Sequence, residues 1–145
     1  MSVPNPIAIA ARRIQIAQPS LGEEEVSAVR EVLQSGWLTQ GPRVAAFERA
    51  FAERHRTRHA LATTSCTTAL HLALLGIGIG PGDEVIVPSF TWVATANAVL
   101  FCGAKPVLAD VDRETFNIDA ADVARRVTPR TKAVIAVHLF GLPAD

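Results

Sequence analysis

Short runs of consecutive apolar residues alternate with segments of helical length, and this alternation constrains the fold more than any other feature of the chain. The runs VIV, VLA and AVIAV lie within residues 84–87, 106–111 and 132–139, and a shorter run occupies residues 60–62. Strands that are apolar throughout are typical of a parallel sheet covered on both faces. Helical segments between such strands predict βαβ units. We therefore expect an α/β protein: a three-layer α/β/α arrangement with a mainly parallel sheet.

The helices are predicted from capping residues and apolar spacing. Ser20 and Glu23 fit a capping box that would begin the first helix, and Gly36 would end it. Pro42 suits the first turn of a second helix. Three further helices are predicted over residues 67–75, 91–101 and 118–127, the last opened by Asp119.

Length, charge and cysteine content limit the class of protein. The chain has 145 residues, with 14 Lys and Arg against 14 Asp and Glu, so its net charge gives no reason to expect a nucleic-acid or membrane partner. Cys66 and Cys102 are too few to form a disulfide framework, which favours a cytoplasmic location. We interpret residues 1–13 as a flexible N-terminal tail and residues 14–145 as one domain.

A turn rich in hydroxyl groups is the strongest local signal. Residues 63–68 read TTSCTT, between a predicted strand and a predicted helix. The free N–H groups and partial positive charge of a helix N-terminus favour an anion. In an open α/β sheet, ligands bind at the carboxyl ends of the strands, where this turn lies. The turn predicts a phosphate site; ordinary helix capping by Ser65 or Thr64 is the alternative explanation.

A tryptophan follows the next strand at the same end of the sheet. Trp92 ends the segment PSFTW and offers a flat apolar face to an aromatic ring. The alternative is a core tryptophan packed under the following helix. A phosphate site beside a stacking residue suits a ligand that combines a phosphate with an aromatic ring.

Four segments, in order along residues 14–145, resemble the DegT/DnrJ/EryC1/StrS aminotransferase family. They are GWLTQGP, TTSCTTALHLALLGIGIGPGDEVIVPSFTWVATANAV, GAKPVLADVD and TPRTKAVIAVHLFGLPAD. GWLTQGP and SFTWVAT are most similar to enzymes that aminate C4 of nucleotide-linked keto-sugars. The resemblance implies the N-terminal part of the large domain of a type I pyridoxal-phosphate transferase. It also implies glutamate as the usual amino donor and a homodimer for the full-length enzyme.

The resemblance further implies roles for particular residues. The backbone amides of Cys66 and Thr67, with the Thr67 hydroxyl, would hold the phosphate of pyridoxal phosphate, and Trp92 would stack on its pyridine ring. Thr39, in the GWLTQGP loop, would contact the sugar nucleotide. No catalytic residue and no metal ligand is assigned. The Schiff-base lysine is expected beyond Asp145, so this chain alone is expected to be inactive. Replacement of that lysine by histidine, which gives a dehydratase, stays open.

Two other functions remain open. The chain would be a non-catalytic phosphate-binding α/β module if it held a ligand without performing chemistry. Asp110 and Asp112, at a strand end, are also compatible with a metal-dependent nucleotide-sugar glycosyltransferase. His138, on the last predicted strand, can approach the cofactor site, although a core histidine is equally consistent with its position.

The resemblance makes one prediction about the topology. In type I folds, strands from later in the chain separate the first strand from the next three. Residues 59–62 should therefore lack their usual neighbour, and the other three predicted strands should pair directly with one another.

Overall fold

The computed structural model describes residues 17–145, so the predicted tail of residues 1–13 lies outside the described part. The helices within this range are α1 (Glu23–Ser35), α2 (Pro42–His55), α3 (Cys66–Gly76), α4 (Ala94–Phe101) and α5 (Ala120–Arg126). The strands are β1 (Glu84–Pro88), β2 (Lys105–Ala109) and β3 (Thr131–Val134). None of the described helices is both long enough and apolar enough to cross a membrane.

The three strands form one parallel sheet with β1 in the centre, in the order β2-β1-β3. Val85 and Val87 of β1 pack in the main core with residues of α3 and α4, such as Leu74 and Val99. Ile86 is also fully buried and points to the opposite face, because side chains alternate along a strand. These features confirm the α/β fold with a parallel sheet that the apolar runs predict.

The prediction of a strand over residues 60–62 is wrong. The segment has no regular secondary structure and no strand partner, and Leu61 is 76% exposed. The N–H of Ala62 donates to the side chain of Glu48 at 2.8 Å. A strand needs a ladder of hydrogen bonds with a neighbour. The topological prediction is confirmed, because residues 59–62 are unpaired while β1 pairs directly with both β2 and β3.

Strand β3 is shorter than the predicted range of residues 132–139. Its ladder ends where Ile135 N–H donates to the carbonyl of Ile86 at 2.9 Å. The next backbone position of β1 in line to donate is Pro88, which has no N–H. The chain then continues towards a short 3₁₀ turn, Leu139–Gly141.

The predicted helix boundaries are correct in part. Gly36 ends α1 in the left-handed conformation and Pro42 begins α2, as expected. The capping residue of α1 is Gly22 rather than Ser20, because the carboxylate of Glu25 accepts the Gly22 N–H at 2.6 Å. Helix α4 begins three residues later than predicted, because Ser89 to Val93 form a turn that is tied to β2 by the Ser89 N–H. Asp119 caps α5, accepting from the Ala121 N–H at 2.8 Å.

Candidate functional site

A cleft of about 540 Å³ lies between the N-termini of α3 and α4 and the segment that follows β3. Ligand sites in proteins typically have volumes of about 300–1,000 Å³. Cys66 and Thr67 line one side, and Trp92 lines another. The structure therefore brings together three of the four residues to which the family resemblance gives a contact with cofactor or substrate.

Two backbone N–H groups at the N-terminus of α3 belong to residues that line this cleft, Cys66 and Thr67. Ser65 is the capping residue, and its hydroxyl accepts the Thr68 N–H at 3.1 Å. Among the hydrogen bonds of residues 17–145, none uses the N–H of Cys66 or of Thr67. The first N–H groups of a helix have no acceptor within the helix. Helix capping and anion binding are therefore compatible, because they use different N–H groups.

The hydroxyl groups of the turn are divided between two tasks. Thr63 donates to the Ser65 carbonyl at 3.0 Å, and the Thr68 hydroxyl lies 2.9 Å from that of Ser65 and 3.4 Å from that of Thr64. Thr67 lines the cleft. Of the five hydroxyls in residues 63–68, four thus bond within the turn itself, and Thr67 is the one that lines the cleft.

Trp92 is an exposed side chain. It is 79% accessible, so the alternative of a core tryptophan packed under α4 is wrong. Its carbonyl accepts the Thr95 N–H at 3.1 Å, and this bond belongs to the turn before α4. The indole is thus held at the cleft by its backbone while its ring remains available for stacking.

The wall opposite α3 comes from residues after β3. Ile135, Val137 and His138 line the cleft. The sequence raises His138 as a residue near the site, because the carboxyl ends of parallel strands meet at one edge. It gives no comparable signal for Ile135 and Val137, which look like ordinary strand residues.

Thr39 does not line this cleft. It is an exposed residue of the loop between α1 and α2. That loop is closed by Trp37, whose indole N–H donates to the Gln40 carbonyl at 2.8 Å. Gln40 lines a neighbouring cavity of about 450 Å³ together with Thr63. The loop therefore borders the α3 turn at a cavity that Trp92 does not line.

The carboxylates proposed for the metal-dependent alternative stabilise their own loop. Asp112 accepts the N–H groups of Glu114 and Thr115, at 3.0 and 2.8 Å, and these bonds, chiefly those from Thr115, lower the pKa of its carboxyl. Asp110 accepts the Val111 N–H at 2.8 Å. Across residues 17–145, no group of three or more His, Cys, Asp or Glu side chains is placed to hold a metal ion.

Comparison with known proteins gives a consistent result over almost the whole described range. The profile of the DegT/DnrJ/EryC1/StrS aminotransferase family matches residues 19–145. DesV from S. venezuelae, solved with a ketimine intermediate, is 46% identical with a TM-score of 0.79, over 85% of this chain and 33% of its own. Spr1654 from Streptococcus pneumoniae, a proposed sugar aminotransferase solved in its PMP form, is 36% identical with a TM-score of 0.84, over 91% of this chain and 33% of its own.

A third solved structure matches to a similar degree. 3-Amino-5-hydroxybenzoic acid synthase is 46% identical with a TM-score of 0.81, over 89% of this chain and 34% of its own. The present chain thus spans about a third of the length of the solved structures that it matches.

Proposed function

Since this chain belongs to the DegT/DnrJ/EryC1/StrS aminotransferase family, we propose that it forms part of a pyridoxal-phosphate-dependent enzyme that transfers an amino group to a nucleotide-linked keto-sugar. Its fold is that of part of the large domain of a type I pyridoxal-phosphate transferase. The observation that best supports the proposal is the single cleft shared by Cys66, Thr67 and Trp92.

The groups that line the cleft fit this cofactor. The N–H groups of Cys66 and Thr67 point out of the positive end of α3, where a phosphate dianion is favoured. The Thr67 hydroxyl adds a donor, and the exposed indole of Trp92 would cover the pyridine ring. When bound, the cofactor supplies an electron sink for the transfer of the amino group. The residues of this chain bind and orient it and cover one face of its ring.

Neither lysine of the chain is placed to attach the cofactor. Lys105 is the first residue of β2, and its ammonium lies 3.3 Å from the Glu84 carboxylate. Lys132 is the second residue of β3 and is exposed. Both lie near the amino ends of the strands, away from the cleft. We propose that another part of the enzyme supplies the attaching lysine, and that residues 1–145 alone do not transaminate.

The substrate assignment is an extension of the same proposal. Spr1654 is a proposed sugar aminotransferase, and the GWLTQGP loop is the segment expected to contact a sugar nucleotide. Thr39 and Gln40 lie on this loop, and the cavity lined by Gln40 adjoins the α3 turn. We propose glutamate as the amino donor, and we place the enzyme in the cytoplasm.

A homodimer is part of the proposal. Helices α1 and α2 expose large apolar side chains, among them Val29, Leu33 and Phe47, at 60%, 62% and 58% accessibility. Monomeric soluble proteins rarely leave extended apolar patches uncovered. Burial of such helices, within the remainder of the enzyme or against a second subunit, would remove this surface from water.

The direct test is binding of pyridoxamine 5′-phosphate, which has no aldehyde and cannot react with Lys105 or Lys132. The chain has two tryptophans, so Trp92 is the only one in a Trp37→Phe variant. We expect saturable quenching of its fluorescence, competition by inorganic phosphate, and much weaker binding of pyridoxamine without the phosphate. A chain that gives no saturable binding, or that binds both forms equally, would contradict the proposal.

Metal binding and turnover, measured beside the cofactor titration, address the other two functions. Binding of Mn²⁺ at Asp110 and Asp112, without binding of the cofactor, would favour the glycosyltransferase. An enzyme that contains this chain and its attaching lysine should release 2-oxoglutarate from glutamate when a nucleotide-linked keto-sugar is present. Cofactor binding without any such turnover would favour the non-catalytic module.

A further inference from the structure

The imidazole of His138 is held in one orientation at the edge of the cleft. Its Nδ1 atom accepts the N–H of Ala144 at 2.9 Å, across a tight turn. A neutral imidazole that accepts at Nδ1 carries its hydrogen on Nε2. Within residues 17–145, Nε2 makes no hydrogen bond, although His138 lines the cleft. The turn therefore presents an N–H donor on a residue of the cleft wall.

Asn117 holds the turn from the other side. This side chain is 5% exposed, and its Oδ1 accepts the Leu139 N–H at 3.0 Å. Its Nδ2 donates to the carbonyls of Leu142 and Pro143, both at 3.1 Å. One buried amide thus uses both donor hydrogens and its acceptor on the segment that begins directly after His138.

The backbone of this segment requires such support. Phe140 adopts a φ of 52° and Gly141 a φ of 87°, so two consecutive residues are left-handed. A non-glycine residue in that region is strained and persists only when its surroundings fix it. The side chain of Phe140 is 82% exposed, so packing does not hold it. Two backbone hydrogen bonds close the turn, from the Gly141 N–H to the His138 carbonyl at 3.1 Å and from the Leu142 N–H to the Leu139 carbonyl at 3.0 Å. The side chains of Asn117 and His138 add further hydrogen bonds to this segment.

We propose that His138 donates a hydrogen bond through Nε2 to an oxygen of the phosphorylated aromatic ligand, and that Asn117 is the positioning residue for it. This inference rests on the proposed function, because it takes the cleft as the site of that ligand. The cleft would then donate hydrogen bonds to the ligand from two sides. Backbone N–H groups of α3 would reach the phosphate, and the imidazole would reach a polar atom on the ring.

Two substitutions of His138 separate the donor from its role in the turn. The His138→Asn side chain places an oxygen near the position of Nδ1 and retains the acceptor for Ala144, but it has no group at Nε2. The His138→Gln side chain reaches the position of Nε2 and retains a donor. We expect His138→Asn to weaken binding of pyridoxamine 5′-phosphate by about three- to tenfold, the effect of one lost hydrogen bond. His138→Gln should recover most of this loss.

The tautomer gives a readout that does not depend on the ligand. In ¹⁵N-histidine-labelled chain, long-range ¹H–¹⁵N spectra should show the hydrogen of His138 on Nε2, and added ligand should shift the Nε2 signal most. A hydrogen on Nδ1 in the free chain would overturn the inference, and so would equal affinities of His138→Asn and wild type. If wild type itself does not bind, the proposed function fails, and the tautomer still tests the arrangement of the turn.

Asn117→Asp tests the positioning role, since it keeps the acceptor and loses both donors. We expect mixed His138 tautomers and binding weakened to a similar extent as in His138→Asn. Asn97→Asp is the matched control, because Asn97 lies on α4 and does not line the cleft. Circular dichroism verifies that each variant is folded. An Asn117→Asp variant with wild-type tautomer and affinity would remove Asn117 from the proposal.

Discussion

The carboxylate of Glu84 accepts a hydrogen bond from the guanidinium of Arg130 at 2.9 Å, which ties the first residue of β1 to the residue before β3. The Thr128 hydroxyl donates to the same carboxylate at 2.7 Å, and the Lys105 ammonium of β2 lies 3.3 Å away. Glu84 is 3% exposed. The amino ends of all three strands are thus joined at one buried charge, at the end of the sheet opposite to the cleft.

This arrangement predicts how stability depends on pH. The Thr128 hydroxyl, followed by Arg130, lowers the pKa of Glu84 from 4.5 to about 2. A carboxyl whose pKa is lower in the folded state stabilises the protein above the unfolded pKa. This contribution is lost as the pH falls from about 4.5 to about 2. The free energy of unfolding, measured with urea between pH 6 and 3, should therefore decrease over the acidic part of this range.

The control for this prediction is Glu84→Gln, which removes the titrating group and keeps the shape of the side chain. The variant should be less stable than wild type at pH 6, and the difference should become smaller as the pH is lowered. Asp122, whose pKa is lowered to about 2, chiefly by Arg126, remains in both proteins, so some acid sensitivity will persist. Two parallel stability curves would show that Glu84 does not contribute in this way.

The loop between α1 and α2 leaves no room for a side chain at Gly41, because the Trp37 indole packs against it. A Cβ at this position would lie 2.1 Å from the Trp37 indole nitrogen. Gly41→Ala should displace the indole and break its bond to Gln40, with a loss of about 1–3 kcal/mol in the free energy of unfolding. Gly76→Ala is the matched control, since a Cβ there meets nothing within 4 Å. It should change stability by less than about 1 kcal/mol. Equal effects of the two substitutions would contradict the role assigned to Trp37.

The elements that the sequence predicts well are those fixed by local patterns. Pro42 and Gly36 mark helix ends through backbone geometry alone, and the apolar run at residues 84–87 is a strand because it is central and buried. Residues 60–62 are also an apolar run and are not a strand, because no neighbour pairs with them. Whether a partner is present depends on distant parts of the chain, and a local pattern contains no information about it.

In the candidate site, too, some features follow from local sequence patterns and others depend on distant residues. The α3 turn and Trp92 were expected at one edge because the carboxyl ends of parallel strands meet there, and both line the cleft. The allocation of hydroxyls within the turn depends on rotamers, so the local pattern TTSCTT does not distinguish Thr67 from Thr63 and Thr68, and only the family resemblance singles out Thr67. Asn117 acts on a turn more than twenty residues away and has no local signal.

Substitutions of Thr67 and Thr63 test whether one hydroxyl serves the cleft while the other holds the α3 turn. Thr67→Val removes a hydroxyl of the cleft without removing a hydrogen bond of the turn, so we expect about tenfold weaker binding of pyridoxamine 5′-phosphate, as for a bond to a charged group. Thr63→Val removes the bond to the Ser65 carbonyl and should affect stability more than affinity. Fluorescence titration and urea unfolding of both variants measure the two quantities. If Thr67→Val binds as tightly as wild type, its hydroxyl does not contact the phosphate.

Ser65 separates helix capping from anion binding most directly. Its hydroxyl accepts the Thr68 N–H, whereas the proposed phosphate donors are the N–H groups of Cys66 and Thr67. Ser65→Ala should therefore reduce the free energy of unfolding by about 1 kcal/mol, as for other lost N-caps. Affinity for pyridoxamine 5′-phosphate should fall much less than in Thr67→Val, because both backbone donors remain. Ser65→Thr retains a capping oxygen and should restore most of the stability. A tenfold loss of affinity in Ser65→Ala at conditions where the chain is fully folded would mean that the cap and the anion site are one structure, held open by the same hydroxyl.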